Sequence, residues 1–425
     1  MSDPPARSVN VVIVGAGVIG CSIAWALSQR GVSDILVLDK SAITNGSTWH
    51  AAGLVGQYRR QQDLARLMQI SAQVYNDLEA ETPIDWKASG SLRLAASVGR
   101  WRELQESTSI ARRYGIEFHL LSGSEAQSLF PLMEIDDLHG AAFIPGDGYI
   151  DPNSLTLEYA NRARSGGVIF VENCLVQSID RQGDRLTTAL TNLGPITARK
   201  FVLAPGVWAR RLARSFGVTI PVSAVEHQYV VTEKDPRIPA TLPALRDPDS
   251  DFYVKPEVGA LAVGGWEADA RLASQGDVPL GFARELYNGD LDRLTPLLQA
   301  AAKRIPVFGD LGIRQIINGP IPVSADGEPI LGALSGLDNA YVAAGFTSGI
   351  AASAGAGQIL ADWIVNGEPT FALPSLYPSR FDQLPPDDVA LDHRALVAYS
   401  SYYVLSEEYI VSNSSEVTSS TKLQD

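Results

Sequence analysis

The stretch from Val9 to Asp39 constrains the fold of this chain more than any other. Val9–Val14 is a run rich in β-branched residues, as in a parallel strand buried on both faces, and it runs straight into Gly15. Gly15, Gly17 and Gly20 form a G-x-G-x-x-G. The first glycine makes a tight turn, the second lets a pyrophosphate approach the backbone, and the third lets the following helix pack closely. Residues Val18–Arg30 suit a helix that Gly31 ends, and Ile35–Leu38 is a second buried strand. Asp39 closes that strand, where a carboxylate accepts hydrogen bonds from a ribose and repels a 2'-phosphate. Strand, glycine turn, helix, strand and acid together predict a dinucleotide at a helix N-terminus. They do not distinguish FAD from NAD.

Further along, Leu64, Leu67, Met68, Val74, Tyr75 and Leu78 fall on one helical stripe, which packing alone explains. Short β-rich runs follow, separated by Gly/Pro turns: Gly90–Ala96, Gly140–Pro145, Val168–Val171, Thr197–Leu203, Val225–Thr232 and Leu261–Gly265. They predict a sheet-rich second layer. Ala340–Ala344 reads as another buried strand and Thr347–Val365 as a helix that Gly367 follows. Beyond Phe381 the chain turns Pro-, Asp- and then Ser-rich (Ser412, Ser414, Ser415, Ser419, Ser420), which predicts a loose tail.

Composition narrows the function. A chain of 425 residues holds two or three packing units, and 45% hydrophobic with 19% charged residues is ordinary for a folded protein. A net charge of -14 repels phosphate backbones, so nucleic acid is not an expected partner. Two cysteines, Cys21 and Cys174, are too few for a disulfide scaffold or thiolate cluster. No apolar stretch reaches a bilayer-spanning length, and the N-terminus lacks an apolar signal core, so a soluble cytoplasmic protein is expected. The five histidines are not spaced as metal ligands, and no G-x-S-x-G elbow occurs.

The block Ser47-Thr48-Trp49-His50-Ala51-Ala52-Gly53-Leu54 resembles the dimethylglycine and sarcosine dehydrogenase family of flavoproteins. The resemblance continues in Gly146–Pro152, His227–Thr232, Asn318–Ile321 and Gly345-Phe346 with Gly349-Ile350. It implies FAD, bonded covalently through His50 to the flavin 8α-methyl, with an imidazole nitrogen as the nucleophile. It also implies that His227 and Tyr253 line the amine site. On strand periodicity His227 shares a face with Val225, Tyr229 and Val231. Such groups orient the amine and help keep it unprotonated; equally, a hydrogen-bonded core histidine and a packed tyrosine explain both residues. Ser47 and Thr48 offer hydroxyls to the pyrophosphate or cap a helix before Trp49. Arg59 is a candidate partner for a substrate carboxylate, against the alternative of a solvated pair with Arg60. The helix opened by Gly345-Phe346-Thr347-Ser348-Gly349-Ile350 presents its positive end to the flavin; its small residues also suit close packing. Lys40, Ala52, Gly53, Leu54, Val176 and Gly206 complete the expected cofactor contacts, although Ala204-Pro205-Gly206 departs from the family's Ala-Ala-Gly.

The expected architecture is α+β: a Rossmann-like FAD-binding domain (1–85, 146–215, 316–381), an interleaved antiparallel-sheet substrate domain (86–145, 216–315) and a tail (382–425). The expected reaction is hydride removal beside a secondary or tertiary amine nitrogen, most readily in an N-methylated amino acid, with electrons passing to oxygen or a carrier protein. D-amino-acid-type or other imine-forming oxidation, and a non-catalytic flavin-binding subunit, are the alternatives. Family dehydrogenases usually continue into a folate-binding domain, which is not seen here. The one-carbon unit is then released as formaldehyde or taken by a separate folate-binding protein.

Overall fold

The computed structural model describes residues 7–239 and 241–405. Two eight-stranded sheets organise it. In the first, Arg7–Val14 lies between Ile35–Leu38 and Gly194–Leu203, parallel to both. Ile169–Val171 and Ala340–Ala344 extend the parallel set on either side. Ile330–Ala333 and the hairpin Val176–Gln182/Arg185–Thr191 add antiparallel strands. Ile35–Leu38 and Ala340–Ala344 are buried throughout, which is why they read as unbroken apolar runs.

Three helices share one face of this sheet: Val18–Gln29, Pro152–Ser165 and Gly349–Asn366, with Gln62–Glu81 packed on the last. Small residues let them approach. A Cβ on Gly357 would lie 2.2 Å from Ser22 Oγ, and one on Gly355 would lie 2.2 Å from the Leu67 carbonyl oxygen. Ser22 also donates to the Ser353 carbonyl at 2.8 Å, satisfying a hydroxyl that is buried between two helices.

The second sheet runs Ile313–Ser324, Val222–Thr232, Ala260–Gly265, Phe252–Glu257, Ala244–Asp247, Ser91–Ala95, Gly140–Ile144, His119–Leu121. Every pairing is antiparallel except Ala244–Asp247 with Ser91–Ala95. The boundary expected at residue 316 falls inside the long strand Ile313–Ser324, which pairs with Val222–Thr232 over its length. Of the β-rich runs expected in a second layer, Ile169–Val171 and Gly194–Leu203 belong to the first sheet. Period and burial are alike in both sheets, so neither identifies a strand's partner.

Two further expectations are corrected. The last long helix starts at Gly349, because Gly345 has φ +69° and Ser348 φ -109°, ψ 44°, which leave 345–348 as a turn. Nor is the chain after Phe381 loose as far as the description extends. Asp388–Ser400 is a helix capped by Asp387, whose side chain accepts from the Val389 amide. Its buried residues Leu391, Ala395 and Tyr399 recur at four-residue spacing and face the second sheet. Its polarity is absorbed by ion pairs, Asp392 with Arg210 at 2.8 Å and Asp388 with Arg214. The serine-rich end of the expected tail lies outside the described residues. No described helix is long and apolar enough to cross a membrane.

Candidate active site

A cavity of about 1890 Å3, counting the open space at its mouth, is lined by residues of both sheets. At one end lies the turn between the first strand and first helix. Gly15 has φ +106°, and a Cβ there would sit 2.2 Å from the Ala204 carbonyl oxygen, so only glycine fits. Gly15 and Gly17 line the cavity. Gly20 lies behind them and serves packing, since its Cβ would meet the Gly15 carbonyl oxygen at 1.9 Å. Asp39 faces the cavity with both oxygens engaged, one by the Ala16 amide at 2.7 Å and the other by the Ser41 amide at 2.9 Å. Burial raises its carboxyl above the usual range, against those two amides.

Lys40 donates to the Phe282 carbonyl and stands 4.1 Å from the Trp208 ring centroid; burial lowers its ammonium. Thr48 Oγ1 accepts from the Val18 amide at 3.1 Å, capping the first helix from a distant segment. Ser47 donates to the Pro320 carbonyl at 2.5 Å. No helix begins at Trp49: residues 43–50 form successive turns, so the capping of a local helix there is corrected. Ala52, Gly53, Leu54, Val176, Gly206 and Gly345 through Ile350 complete this part of the wall.

His50 sits midway. It is 5% exposed, its Nε2 is buried with no hydrogen-bond partner among the described residues, and Trp49 meets it edge-on at 5.6 Å. Burial lowers its imidazole to about 4, so the ring is neutral at physiological pH. Gly319 makes its room: a Cβ there would lie 2.6 Å from both Cε1 and Nε2. Gly319 is the register partner of His227, which places the two imidazoles on one side of the same strand pair.

The same cavity is lined by His227, Tyr253 and Arg59, with four residues the sequence did not reveal: Arg246, Trp266, Tyr402 and Tyr403. His227 Nε2 pairs with the Tyr253 hydroxyl at 3.0 Å and Nδ1 with that of Tyr399 at 2.8 Å. Burial lowers His227 to about 3, with His50 and Arg293 adding to the effect. Arg59 donates to the Tyr58 carbonyl at 2.8 Å and reaches Ser348 Oγ at 3.4 Å. Arg246 lies 4.0 Å from Asp147, a carboxyl that is 1% exposed, held by Ser91 Oγ and the Gln57 amide, and raised by burial. Tyr402 stacks on Trp266 at 3.8 Å. Burial would lift its hydroxyl, but Arg59, Arg246 and a hydrogen bond to Ser348 carry it below the usual phenol value. Arg246 is the register partner of Tyr253 across the hairpin Ala244–Asp247/Phe252–Glu257, a local pairing the sequence reading did not make; nothing local ties Tyr402 to a site.

The resemblance seen in the sequence implies FAD, and the residues present fit it. A glycine turn without room for side chains meets one end of the cavity, and His50, a buried, neutral imidazole whose Nε2 has no hydrogen-bond partner among the described residues, lines it.

Comparison with known proteins agrees. A family model for FAD dependent oxidoreductases (DAO) matches residues 10–363. The chain is 37% identical over 382 residues to rat mitochondrial dimethylglycine dehydrogenase, covering 88% of this chain and 45% of that protein. It is 36% identical to mouse mitochondrial sarcosine dehydrogenase, covering 87% and 41%. It thus spans less than half the length of these relatives. The crystal structure of L-proline dehydrogenase from P. horikoshii superposes with a TM-score of 0.80 at 23% identity, covering 89% of this chain and 99% of that one, a likeness of fold. The chain belongs to the DAO family of FAD-dependent oxidoreductases.

Proposed function

We propose that this protein oxidises a secondary or tertiary amine, most readily an N-methylated amino acid of the dimethylglycine or sarcosine type, with FAD bonded through His50. The observation that carries this reading is the set of groups lining one cavity: a glycine turn, an imidazole whose Nε2 has no partner among the described residues, and two guanidiniums near the Tyr402 hydroxyl. When bound, FAD supplies the acceptor for hydride leaving the carbon next to nitrogen, which leaves an imine for water to hydrolyse. Gly15, Gly17, Asp39 and the N-terminus of the helix Gly349–Asn366 hold the dinucleotide. His50 offers a bare, neutral nitrogen for the covalent link.

Arg59 and Arg246 hold the substrate carboxylate. Asp147 is the nearest acidic partner of Arg246 and is itself pushed toward neutrality by burial, so the pair keeps positive charge for an anion. Tyr253, Trp266 and Tyr402 supply aromatic surface that suits N-methyl groups and a cationic nitrogen. His227, neutral and buried, takes no charge that would repel an ammonium. Both cysteines are free and buried, which supports a reducing, cytoplasmic setting.

The test is anaerobic mixing of purified holoprotein with a panel of sarcosine, dimethylglycine, glycine, proline and D-amino acids. Bleaching of flavin absorbance by the N-methylated members supports the proposal; bleaching by the primary amino acids alone replaces it with an amino-acid oxidase. Reoxidation in air against reoxidation by a carrier dye then separates oxidase from dehydrogenase. Acid precipitation reports the covalent link: yellow colour stays with the pellet, and leaves it in His50→Ala.

A further inference from the structure

The helix Asp388–Ser400 lies beyond the residues that the family model matches, yet its Tyr399 touches His227. Tyr399 is 1% exposed and does not line the cavity; it stands behind His227, with its hydroxyl 2.8 Å from Nδ1 and 3.2 Å from Glu267 Oε2. Glu267 is 2% exposed and receives two further donors, Arg293 at 2.9 Å on Oε2 and Gln228 at 2.6 Å on Oε1. Arg293 is joined on its other side to Glu226 at 2.7 Å.

The protons in this row are countable. A carboxylate held by a guanidinium only accepts, so the Tyr399 hydroxyl proton goes to Glu267. The Tyr399 oxygen is then an acceptor toward His227. A neutral imidazole has one N–H, and the only arrangement that satisfies every partner places it on Nδ1. Nε2 is left bare and accepts the Tyr253 hydroxyl proton. The Tyr253 oxygen, with its proton committed to His227, turns its lone pairs to the cavity.

We infer that Tyr399, backed by Glu267, is a positioning residue that sets the Nδ1–H tautomer of His227 and thereby makes Tyr253 an acceptor for a substrate N–H. With the opposite tautomer Tyr253 would be free to donate, and an amine that has an N–H to give would meet a second donor. The inference rests on the amine-oxidation reading for its substrate, but the tautomer stands on the protein alone.

Holoprotein labelled with 15N in histidine tests it, the His227 ring being assigned by its disappearance in His227→Asn. A protonated Nδ1 and a bare Nε2 are expected; a protonated Nε2 overturns the inference, whatever the protein oxidises. This spectrum needs no Tyr399 variant, so it decides even if Tyr399→Phe does not fold. In Tyr399→Phe the tautomers mix. KM for dimethylglycine then rises roughly tenfold, about one hydrogen bond's worth, while kcat stays within about twofold. The inhibition constant of trimethylglycine, which has no N–H to donate, stays within about twofold. Unchanged KM, or equal rises in KM and in that inhibition constant, would show Tyr399 to be packing only. If no amine bleaches the flavin, the functional reading fails while the ring spectrum still decides the tautomer.

Discussion

The two ends of the cavity are built differently. The end proposed for the dinucleotide is built largely on main chain: a glycine turn, helix N-termini and an acid whose oxygens are held by amides, with walls from residues 14–54, 174–177, 204–212 and 343–350. The end proposed for the amine is made by side chains that arrive from Arg59, from Arg246 on one strand, Tyr253 on the next, His227 two strands further and Tyr402 after the last described helix. A main-chain site tolerates change almost everywhere except at the residues that set its backbone; a side-chain site fails gradually, one contact at a time. Gly15→Ala tests the first half of that statement. A Cβ in left-handed backbone, 2.2 Å from a carbonyl oxygen, has nowhere to go. Flavin retention in the purified variant should fall at least roughly a hundredfold, from strain and overpacking together. Retention near the native level would mean that the turn is softer than its geometry, and the contrast between the two ends would weaken.

The amine end should be the more sensitive to acid. His227 is lowered by burial from 6.5 to about 3, so the neutral ring stabilises the fold fully above pH 6.5, and that contribution is lost as pH falls toward the folded value. Between pH 6.5 and 4 the loss reaches about 3 kcal/mol as an upper limit, from 1.36 kcal/mol per pH unit less the rounding at each end. Urea unfolding at pH 7 and pH 4.5 measures it, and His227→Asn should flatten the difference. An equal acid dependence in the variant would move the sensitivity elsewhere, to His50, which burial lowers to about 4.

The same contrast decides what the sequence reveals. Gly15, Gly17, Gly20 and Asp39 are legible because the turn, the helix and both strands are contiguous, and each residue type answers a local demand of the backbone. His50 is legible only through its block. The physics that singles it out, a buried nitrogen facing Gly319, needs the pairing of Val222–Thr232 with Ile313–Ser324. Arg246 reaches the site as the register partner of Tyr253 across the antiparallel pair Ala244–Asp247/Phe252–Glu257, a register that no periodicity encodes. The helix Asp388–Ser400 is obscured for another reason. It lies between a Pro- and Asp-rich stretch and the Ser-rich end, and a reading of that whole segment by composition misses buried residues at four-residue spacing whose charged neighbours are paired.

Gly319 joins the two ends, and Gly319→Ala sharpens the comparison. The added methyl would sit 2.6 Å from the His50 ring, which has a strand behind it, so the ring turns or the strand shifts, at a cost of about 1–3 kcal/mol. Total flavin should stay near native because the dinucleotide end is untouched. The acid-stable fraction should drop severalfold if the proposed link through His50 forms, because the ring is displaced from its position. Loss of total flavin in parallel would show that the two ends are coupled rather than separate.

The smallest effect expected is at the wall. Tyr402 stacks on Trp266 at 3.8 Å and 18°, and the following Tyr403 carbonyl accepts from the nearly buried Arg100 at 2.6 Å. Tyr402→Leu keeps apolar bulk and that main-chain anchor but removes the ring pair and the hydroxyl beside Ser348. Stability should fall by about 1 kcal/mol, the range of one aromatic pair. KM for an N-methylated amino acid should rise a few fold, since one cationic-nitrogen contact with a ring is worth about 0.5–1 kcal/mol at a partly open site. Thermal unfolding and steady-state kinetics on the same preparation separate the two contributions. A large rise in KM with no loss of stability would make Tyr402 part of the recognition of the amine. A loss of stability without any change in KM would leave recognition to Tyr253 and Trp266, and the segment after the last helix would serve only to close the cavity.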